Sequence, residues 1–128
     1  MKRQPLVLIV DDAKDNREGY AQYLQFRGFD TLEAATGEDA LKIVRRARPD
    51  VILLDMRLPG LSGMEVTRRL RAAGFADMPI IALSACTFES DIEAARESGC
   101  DSFLSKPCLP EDVVGEILRL LNLRRVAS

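Results

Sequence analysis

Acidic residues stand directly after two apolar segments of the sequence and could hold a metal ion or a phosphoryl group. Asp11 and Asp12 follow the segment at 6–10, and Asp55 follows the segment at 51–54. If these carboxylates meet in the fold, they repel one another unless a cation compensates them. Oxygen ligands without histidine or thiolate suit a hard cation, and Mg²⁺ accepts a few carboxylates together with water and phosphate oxygens.

A hydroxyl and an amine follow two further apolar segments and would complete this chemistry. Ser84 follows the segment at 80–83, and Lys106 comes shortly after the segment at 101–104. Beside a metal ion, these groups would stabilise the oxygens of a phosphoryl group during in-line transfer. Asp55 is the candidate nucleophile because it stands alone, whereas Asp11 and Asp12 are adjacent and better suited to holding metal. A carboxylate nucleophile would form an aspartyl phosphate.

Each of these residues, taken alone, has an ordinary structural explanation. Asp11 and Asp12 could cap a helix, because acidic residues favour helix N-termini. Asp55 and Ser84 could bond local backbone in turns, and a lysine is usually solvated. Five such residues after four different segments, in this order, are not expected from unrelated caps. We therefore interpret the set as a phosphoryl-transfer site.

Short apolar segments, separated by amphipathic stretches, must position these residues. The segments at 6–10, 51–54 and 80–83 are apolar throughout, as strands buried on both faces of a parallel sheet are. Alternation with helical stretches favours βαβ units, and right-handed crossovers then predict an α/β fold, a three-layer (βα)5 sandwich. Ligands of such sheets bind beyond the carboxyl ends of the strands. The predicted strands are 6–10, 31–34, 51–54, 80–83 and 101–104.

Capping residues mark the ends of the predicted helices. Serine or threonine at the first position, often with glutamate three residues later, is typical of a helix start. Glycine is typical of a helix end, and proline of a first helical position. The residues in these roles are Thr36, Ser62 with Glu65, Ser90 with Glu93, Pro110 and, at the end of the first helix, Gly28. Residues 124–128 are predicted to form a frayed tail.

The composition is that of one globular domain. The chain has 128 residues, of which 47% are apolar and 30% charged, so we expect a single domain at 1–128 with its core at about 5–123. A net charge of −2 provides no field for nucleic acid, so direct DNA binding is not expected. No segment resembles a membrane span or a secretory signal. Three cysteines without histidine or a CxxC pair indicate reduced thiols, so we expect a cytoplasmic protein.

The set Asp11-Asp12, Asp55, Ser84-Ala85 and Lys106-Pro107, with the sequence DMRLPGLSGME at 55–65, resembles the receiver domain of bacterial response regulators. The resemblance covers nearly the whole chain. It implies a flavodoxin-like fold with five parallel strands in the order 2-1-3-4-5. It also implies a phosphorelay component that takes its phosphoryl group from a histidine kinase or a histidine phosphotransfer protein. Such a domain catalyses its own phosphorylation and dephosphorylation and is not an enzyme toward other substrates.

The resemblance assigns roles around the acceptor. Asp55 would accept the phosphoryl group. Asp12, Asp55 and the backbone carbonyl of Arg57 would bind Mg²⁺, and Asp11 would act partly through water. Lys106 would pair with the carboxylate and then with its phosphate, and its bond to the following proline would be cis.

The resemblance also implies a conformational switch. Ser84 would move to the phosphate, and Phe103 would move inward with it. Tyrosine is common at the position of Phe103, so this chain lacks a hydroxyl that partners of other members contact. Arg57, Ala85 and Cys86 lie where the family tunes the lifetime of the phosphate. The output would be a changed surface near the fourth helix, the fifth strand and the fifth helix, read by a downstream protein or by a second copy in a homodimer.

Two functions of other classes remain open at this point. An aspartyl-phosphate phosphatase would carry a second aspartate two residues after the first, where this chain has Ala13. A flavin-binding electron carrier would have a first loop rich in serine, threonine and glycine, whereas the loop at 11–15 reads DDAKD. Turnover of phosphate esters would indicate the first, and a coloured protein the second.

A third alternative lies within the family, because the sequence could be a receiver from a hybrid kinase or a longer regulator. Met1 and the short stretch after the last predicted helix favour a protein that stands alone. We therefore expect no DNA-binding or catalytic output domain, and signalling through protein contacts.

Overall fold

The structure, a computed structural model, describes residues 3–85 and 88–127, with side chains described as far as residue 123. Each strand is followed by a helix, as the alternation of segments predicts. The elements are β1 (Leu6–Val10), α1 (Lys14–Phe26), β2 (Asp30–Ala34), α2 (Gly37–Ala47), β3 (Val51–Asp55), α3 (Gly63–Ala72), β4 (Ile80–Ser84), α4 (Glu89–Ser98), β5 (Ser102–Ser105) and α5 (Pro110–Ala127).

The five strands form one parallel sheet in the order β2-β1-β3-β4-β5. The fully apolar segments are the three central strands, and nearly all of their residues are buried. Helices cover both faces of the sheet, so these strands have no face that needs polar residues. The predicted three-layer α/β sandwich and its strand order are therefore confirmed.

Two apolar layers hold the helices on the sheet. One layer lies against α2, α3 and α4 and includes Val44, Leu70 and Ala95. The other lies against α1 and α5 and includes Leu24 and Ile117. Successive residues of a strand point to opposite faces, so each central strand contributes to both layers. This packing keeps the carboxyl ends of the strands at one edge, where β1, β3 and β4 end side by side.

Most predicted helix ends agree with the structure. The Thr36 hydroxyl accepts a hydrogen bond from the amide of Asp39 (3.1 Å), and Ser62 accepts one from Glu65 (3.2 Å). Gly28 follows the end of α1 with φ +92°, a conformation that glycine adopts without strain. No helix in the described part of the chain combines the length and apolarity needed to cross a membrane.

Several predicted boundaries differ from the structure: β2 begins one residue earlier than predicted, and β3 and β4 each end one residue later. α4 begins at Glu89 with Phe88 as N-cap, so Ser90 lies inside the first turn and does not cap the helix. β5 begins one residue later than predicted, because the carboxylate of Asp101 accepts the amide of Ile80 and lies before the strand. α5 continues through Ala127, because no proline interrupts it, so residues 124–127 are helical.

Two aspartates fix strand starts at the amino edge of the sheet, opposite the edge where the predicted site lies. Asp50, directly before β3, accepts the amide of Leu6 at the start of β1 (2.7 Å). Asp101, directly before β5, accepts the amide of Ile80 at the start of β4 (2.8 Å). Because a one-residue slip would turn every side chain of a strand to the other face, these bonds help to set the register.

Arg71, near the end of α3, joins the loops of the same edge. Its guanidinium donates to the carbonyls of Phe75 (2.6 Å) and Met78 (2.7 Å), twice to that of Gly99 (3.1 and 2.7 Å), and to the Asp101 carboxylate (2.9 Å). The side chain is 18% exposed. One arginine thus ties α3 to the segments that begin β4 and β5.

Candidate functional site

The loop between β1 and α1 carries the first two acidic residues. Asp11 is buried; its amide donates to the carbonyl of Ala34 (3.1 Å) and its Oδ1 accepts from the amide of Ala13 (2.8 Å). Asp12 is exposed. α1 begins at Lys14 with Ala13 as N-cap, so neither aspartate occupies the N-cap position. Helix capping therefore does not explain Asp12.

Asp55 is the last residue of β3 and only 6% exposed. Its Oδ1 accepts a hydrogen bond from the amide of Arg57 (2.9 Å). The following loop folds tightly against the strand end, since the amide of Gly63 donates to the carbonyl of Met56 (3.2 Å) and a Cβ at Gly63 would overlap the carbonyl oxygen of Asp55. Glycine at position 63 thus allows the loop to approach the site.

Lys106 follows β5 and reaches across the strand ends. Its Nζ lies 2.9 Å from Asp55 Oδ2 and 3.3 Å from Asp11 Oδ2. Its amide donates to the carbonyl of Ser84 (2.8 Å), and its bond to Pro107 is cis, as the resemblance implies. Burial alone would lower the pKa of Lys106, but the hydrogen bond and charge of Asp55, with a smaller contribution from Asp11, hold that pKa above its ordinary value.

The three carboxylates form one cluster. One oxygen from each of Asp11, Asp12 and Asp55 lies within 4.8 Å of the others, so these residues could hold a metal ion. With the Lys106 ammonium, their formal charges sum to −2, three negative charges against one positive. A divalent cation would balance that charge, and oxygen ligands favour a hard one.

The remaining predicted residues differ in burial and in the elements they pack against. Ser84 is the last residue of β4 and is buried, and Ala85 after it is exposed. Phe103 is half-buried on β5, opposite Ala82, and packs into the layer under α2, α3 and α4. Phe103 also lines a cavity of about 360 Å³ beside α4, and none of Asp11, Asp12 and Asp55 is among the residues that line it. Cys86 lies outside the described residues.

Two side chains of α1 reach the region although the sequence pattern does not single them out. Arg17 donates from Nη1 to the carbonyl of Asp11 (3.0 Å) and from Nε to Glu33 Oε1 (3.0 Å). The Tyr20 hydroxyl lies 3.6 Å from Cys108 Sγ, and burial, together with Cys108 and the acidic cluster, raises the pKa of Tyr20. A basic residue in the first turn of a helix opposes the helix dipole, which is the signal that could have identified Arg17.

A known protein family and characterised relatives match this chain. The family model described as the response regulator receiver domain matches residues 7–118. The DNA-binding response regulator MtrA of Mycobacterium tuberculosis is 40% identical over 111 residues, which are 87% of this chain and 48% of that protein. The response regulator MprA of Mycobacterium leprae is 39% identical over 116 residues, 91% of this chain and 50% of that protein. The chain thus spans about half the length of the curated relatives it matches.

Solved receiver structures share the fold. The receiver domain of the Francisella response regulator 1452 superposes with a TM-score of 0.89 at 28% identity, covering 94% of this chain and 99% of that chain. The Vibrio cholerae chemotaxis protein CheY4 superposes with a TM-score of 0.88 at 29% identity, covering 92% of this chain and 99% of that chain.

The expectation about DNA is wrong. It followed from the net charge of −2, but several of the relatives matched are named DNA-binding response regulators. The net charge describes only 128 residues, and the matched segment is 48% of those relatives, so it does not exclude DNA as a partner. The family match, the strand order and the relatives agree on the family: the chain belongs to the response regulator receiver domain family.

Proposed function

We propose that these 128 residues form one receiver domain in which Asp55 accepts a phosphoryl group from a phosphohistidine on a histidine kinase or histidine phosphotransfer protein. One observation carries the proposal: Lys106 Nζ bridges Asp55 Oδ2 at 2.9 Å and Asp11 Oδ2 at 3.3 Å, beside the third carboxylate, Asp12. An amine and several carboxylates at one point supply the charges that a phosphoryl group and a divalent cation require.

Asp55 is the acceptor in this proposal because of its exposure and its contacts. Asp11 is 2% exposed and also accepts the amide of Ala13, and Asp12 is open to solvent. Asp55 lies between these extremes, with 6% exposure, and has the shorter contact to Lys106. The ammonium can therefore follow the negative charge from the carboxylate to a phosphate placed on it.

The site residues fit Mg²⁺. Asp12, Asp55 and the backbone carbonyl of Arg57 would hold the ion, with Asp11 acting partly through water. All of these donors are oxygens, and the cluster carries a formal charge of −2 once Lys106 is counted. When bound, Mg²⁺ would neutralise oxygens of the transferred group.

The proposed transfer needs only the Asp55 carboxylate and the phosphohistidine of the donor. An oxygen of the Asp55 carboxylate attacks phosphorus and forms an O–P bond, while the P–N bond to the donor histidine breaks and its electron pair returns to the imidazole. Lys106 stabilises the developing charge on the phosphoryl oxygens. Water later attacks the same phosphorus, the O–P bond to Asp55 breaks and inorganic phosphate leaves, so the domain catalyses the gain and loss of its own phosphate.

The response would begin at Ser84 and Phe103. Ser84 ends the strand beside β3, and its carbonyl already accepts the amide of Lys106, so its hydroxyl would move a short way to the phosphate. Phe103 lines a cavity of about 360 Å³ beside α4, and its ring would move inward when Ser84 moves. The surface of α4, β5 and α5 would change with it. Arg57 and Ala85, both exposed at the mouth of the site, would tune the access of water and thus phosphate lifetime.

We place this activity in the cytoplasm. Cys100 and Cys108 are free thiols in the structure, as is usual for proteins of a reducing compartment.

Intact mass after incubation with acetyl phosphate tests the proposal. We expect one phosphate on the unaltered chain, only with Mg²⁺, and none on Asp55→Asn. Asp77→Asn is the matched control, because Asp77 is exposed and lies outside the cluster, and it should label like the unaltered chain.

Equal labelling of Asp55→Asn and the unaltered chain would contradict the proposal, as would labelling that does not depend on Mg²⁺. Continuous release of phosphate without a stoichiometric adduct would favour the phosphatase alternative.

A further inference from the structure

Arg17 contacts the loop between β1 and α1, which carries Asp11 and Asp12. Its side chain is only 16% exposed, although it belongs to the first turn of α1. Nη1 donates to the carbonyl oxygen of Asp11 at 3.0 Å, and Nε donates to Glu33 at 3.0 Å. One guanidinium therefore joins the end of β2 to the loop that carries two of the three carboxylates.

The contact with the Asp11 carbonyl constrains both aspartates of the loop. A peptide unit is planar, so holding that carbonyl sets the orientation of the Asp11–Asp12 peptide and with it the Cα of Asp12. The rest of Asp11 is held as well, through its amide to Ala34 and through its carboxylate to Ala13 and Lys106. Asp12 is exposed. Of the hydrogen bonds just described, the one from Arg17 is closest to Asp12 along the chain, because it holds the Asp11–Asp12 peptide itself.

The positive charge of Arg17 would repel Mg²⁺ bound at the neighbouring carboxylates. The ion pair with Glu33 offsets that repulsion. Glu33 Oε1 lies 3.0 Å from Nε, so the pair is neutral as a whole while the guanidinium keeps its hydrogen bond to the loop. Orientation of the loop therefore outweighs repulsion of the ion.

We propose that Arg17 is a positioning residue that orients the Asp11–Asp12 loop for binding Mg²⁺, and that Glu33 neutralises its charge there. The inference rests on the proposed function, since it assumes that the carboxylates bind the ion. Among the described residues, the hydrogen bonds of the Arg17 side chain go to Asp11 and Glu33, and none goes to the acceptor Asp55. Residues that orient metal ligands from outside typically affect metal affinity by about 10- to 100-fold.

Calorimetric titration with Mg²⁺ tests this inference on the full chain. We expect Arg17→Met to weaken Mg²⁺ binding about tenfold, the lower end of that range, because the loop keeps its other contacts. Labelling by acetyl phosphate should then need about tenfold more Mg²⁺ but reach the same maximal rate. Arg27→Met is the matched control, since Arg27 lies just beyond the other end of the same helix and contacts the hydroxyl of Tyr23 (3.3 Å). It should leave Mg²⁺ affinity unchanged.

Glu33→Gln keeps the test decisive if Arg17→Met does not fold, because Glu33 is partly exposed. This variant leaves the charge of Arg17 uncompensated and should also weaken Mg²⁺ binding. In the double variant the two effects should not add, because both act through one ion pair.

The outcomes are distinct. Unchanged or tighter Mg²⁺ binding by Arg17→Met, while the unaltered chain binds Mg²⁺, overturns the inference and leaves the proposed function standing. The same holds if Arg17→Met loses stability to urea but binds Mg²⁺ normally, because the role is then structural. If the unaltered chain binds no Mg²⁺, the proposed function fails, and the inference fails with it.

Discussion

Replacing Asp55 with asparagine should stabilise the fold when Mg²⁺ is absent. The Asp55 carboxylate is buried beside two other carboxylates, and only one ammonium, that of Lys106, contacts it among the ion pairs of the described residues. Because Asp55 is distant in sequence from the other members of the cluster, this repulsion arises only on folding. Asparagine removes the charge and keeps nearly the same shape.

The magnitude follows from the distances. At an effective dielectric constant of about 20, unit charges at the upper limit of 4.8 Å interact by roughly 3.5 kcal/mol, and charges 2.9 Å apart by roughly 6 kcal/mol. The Asp55 charge thus meets two repulsions that together slightly exceed its one attraction. Relief from burying a charge adds to the gain, and a weaker hydrogen bond with Lys106 subtracts about 1 kcal/mol. We expect Asp55→Asn to raise the free energy of unfolding by about 1 kcal/mol.

Mg²⁺ should reverse this order. At 100 times its dissociation constant, the ion would stabilise the unaltered chain by about 2.7 kcal/mol, and a variant that binds tenfold more weakly would gain only about 1.4 kcal/mol. Urea unfolding in EDTA and in Mg²⁺ measures both differences, with Asp77→Asn as a control expected to stay within about 0.5 kcal/mol of the unaltered chain. A variant that is less stable in EDTA, or that gains as much from Mg²⁺ as the unaltered chain, would refute the reasoning.

Three further predictions concern the frame around the site. Arg71→Met should lower the free energy of unfolding in urea by about 3 kcal/mol, because three backbone carbonyls lose their donor. Arg69→Met, an exposed change on the same helix, should lower it by less than about 0.5 kcal/mol, and similar losses in the two variants would contradict the prediction. Burial raises the pKa of the Cys100 thiol, so the folded state holds the proton more tightly and the free energy of unfolding should fall as the pH rises above about 9. Cys100→Ala should show a smaller fall, and an equal fall in both proteins would contradict the prediction. Gly63→Ala should cost more than about 3 kcal/mol because its Cβ would overlap backbone, whereas Gly115→Ala in α5, with open space around it, should gain up to about 1 kcal/mol, as thermal unfolding of both would show.

Much of the fold could be predicted because burial in a parallel sheet leaves a strong local signal. The three central strands have apolar residues on both faces, and no other regular element requires that pattern over so few residues. The positions of Asp55 and Ser84 followed directly, since strand ends at one edge converge whatever the loops do. Thr36 and Ser62 cap their helices as predicted, because a cap depends only on neighbours three residues away.

Other features depend on contacts that no local pattern encodes. Ser90 with Glu93 has the same spacing as a true capping box, but the chain enters α4 at Phe88. Arg71 resembles a surface arginine in the sequence, and the place of Arg17 near a helix start does not say what it contacts; only the folded chain brings both guanidinium groups to backbone carbonyls. Tyr20 and Cys108 meet although 88 residues separate them.

The aspartates at the amino edge fix where β1 and β4 begin, and the length of each strand then fixes where it ends. β1 and β4 have five residues each, so about 16 Å separate the amide held by Asp50 or Asp101 from the end of the strand. An insertion in a loop ahead of these aspartates leaves that length unchanged. One residue inserted within a strand would displace a carboxylate or the serine from the cluster, even in a chain that still folds. Natural variation in length should therefore be found in the loops and not in the strands.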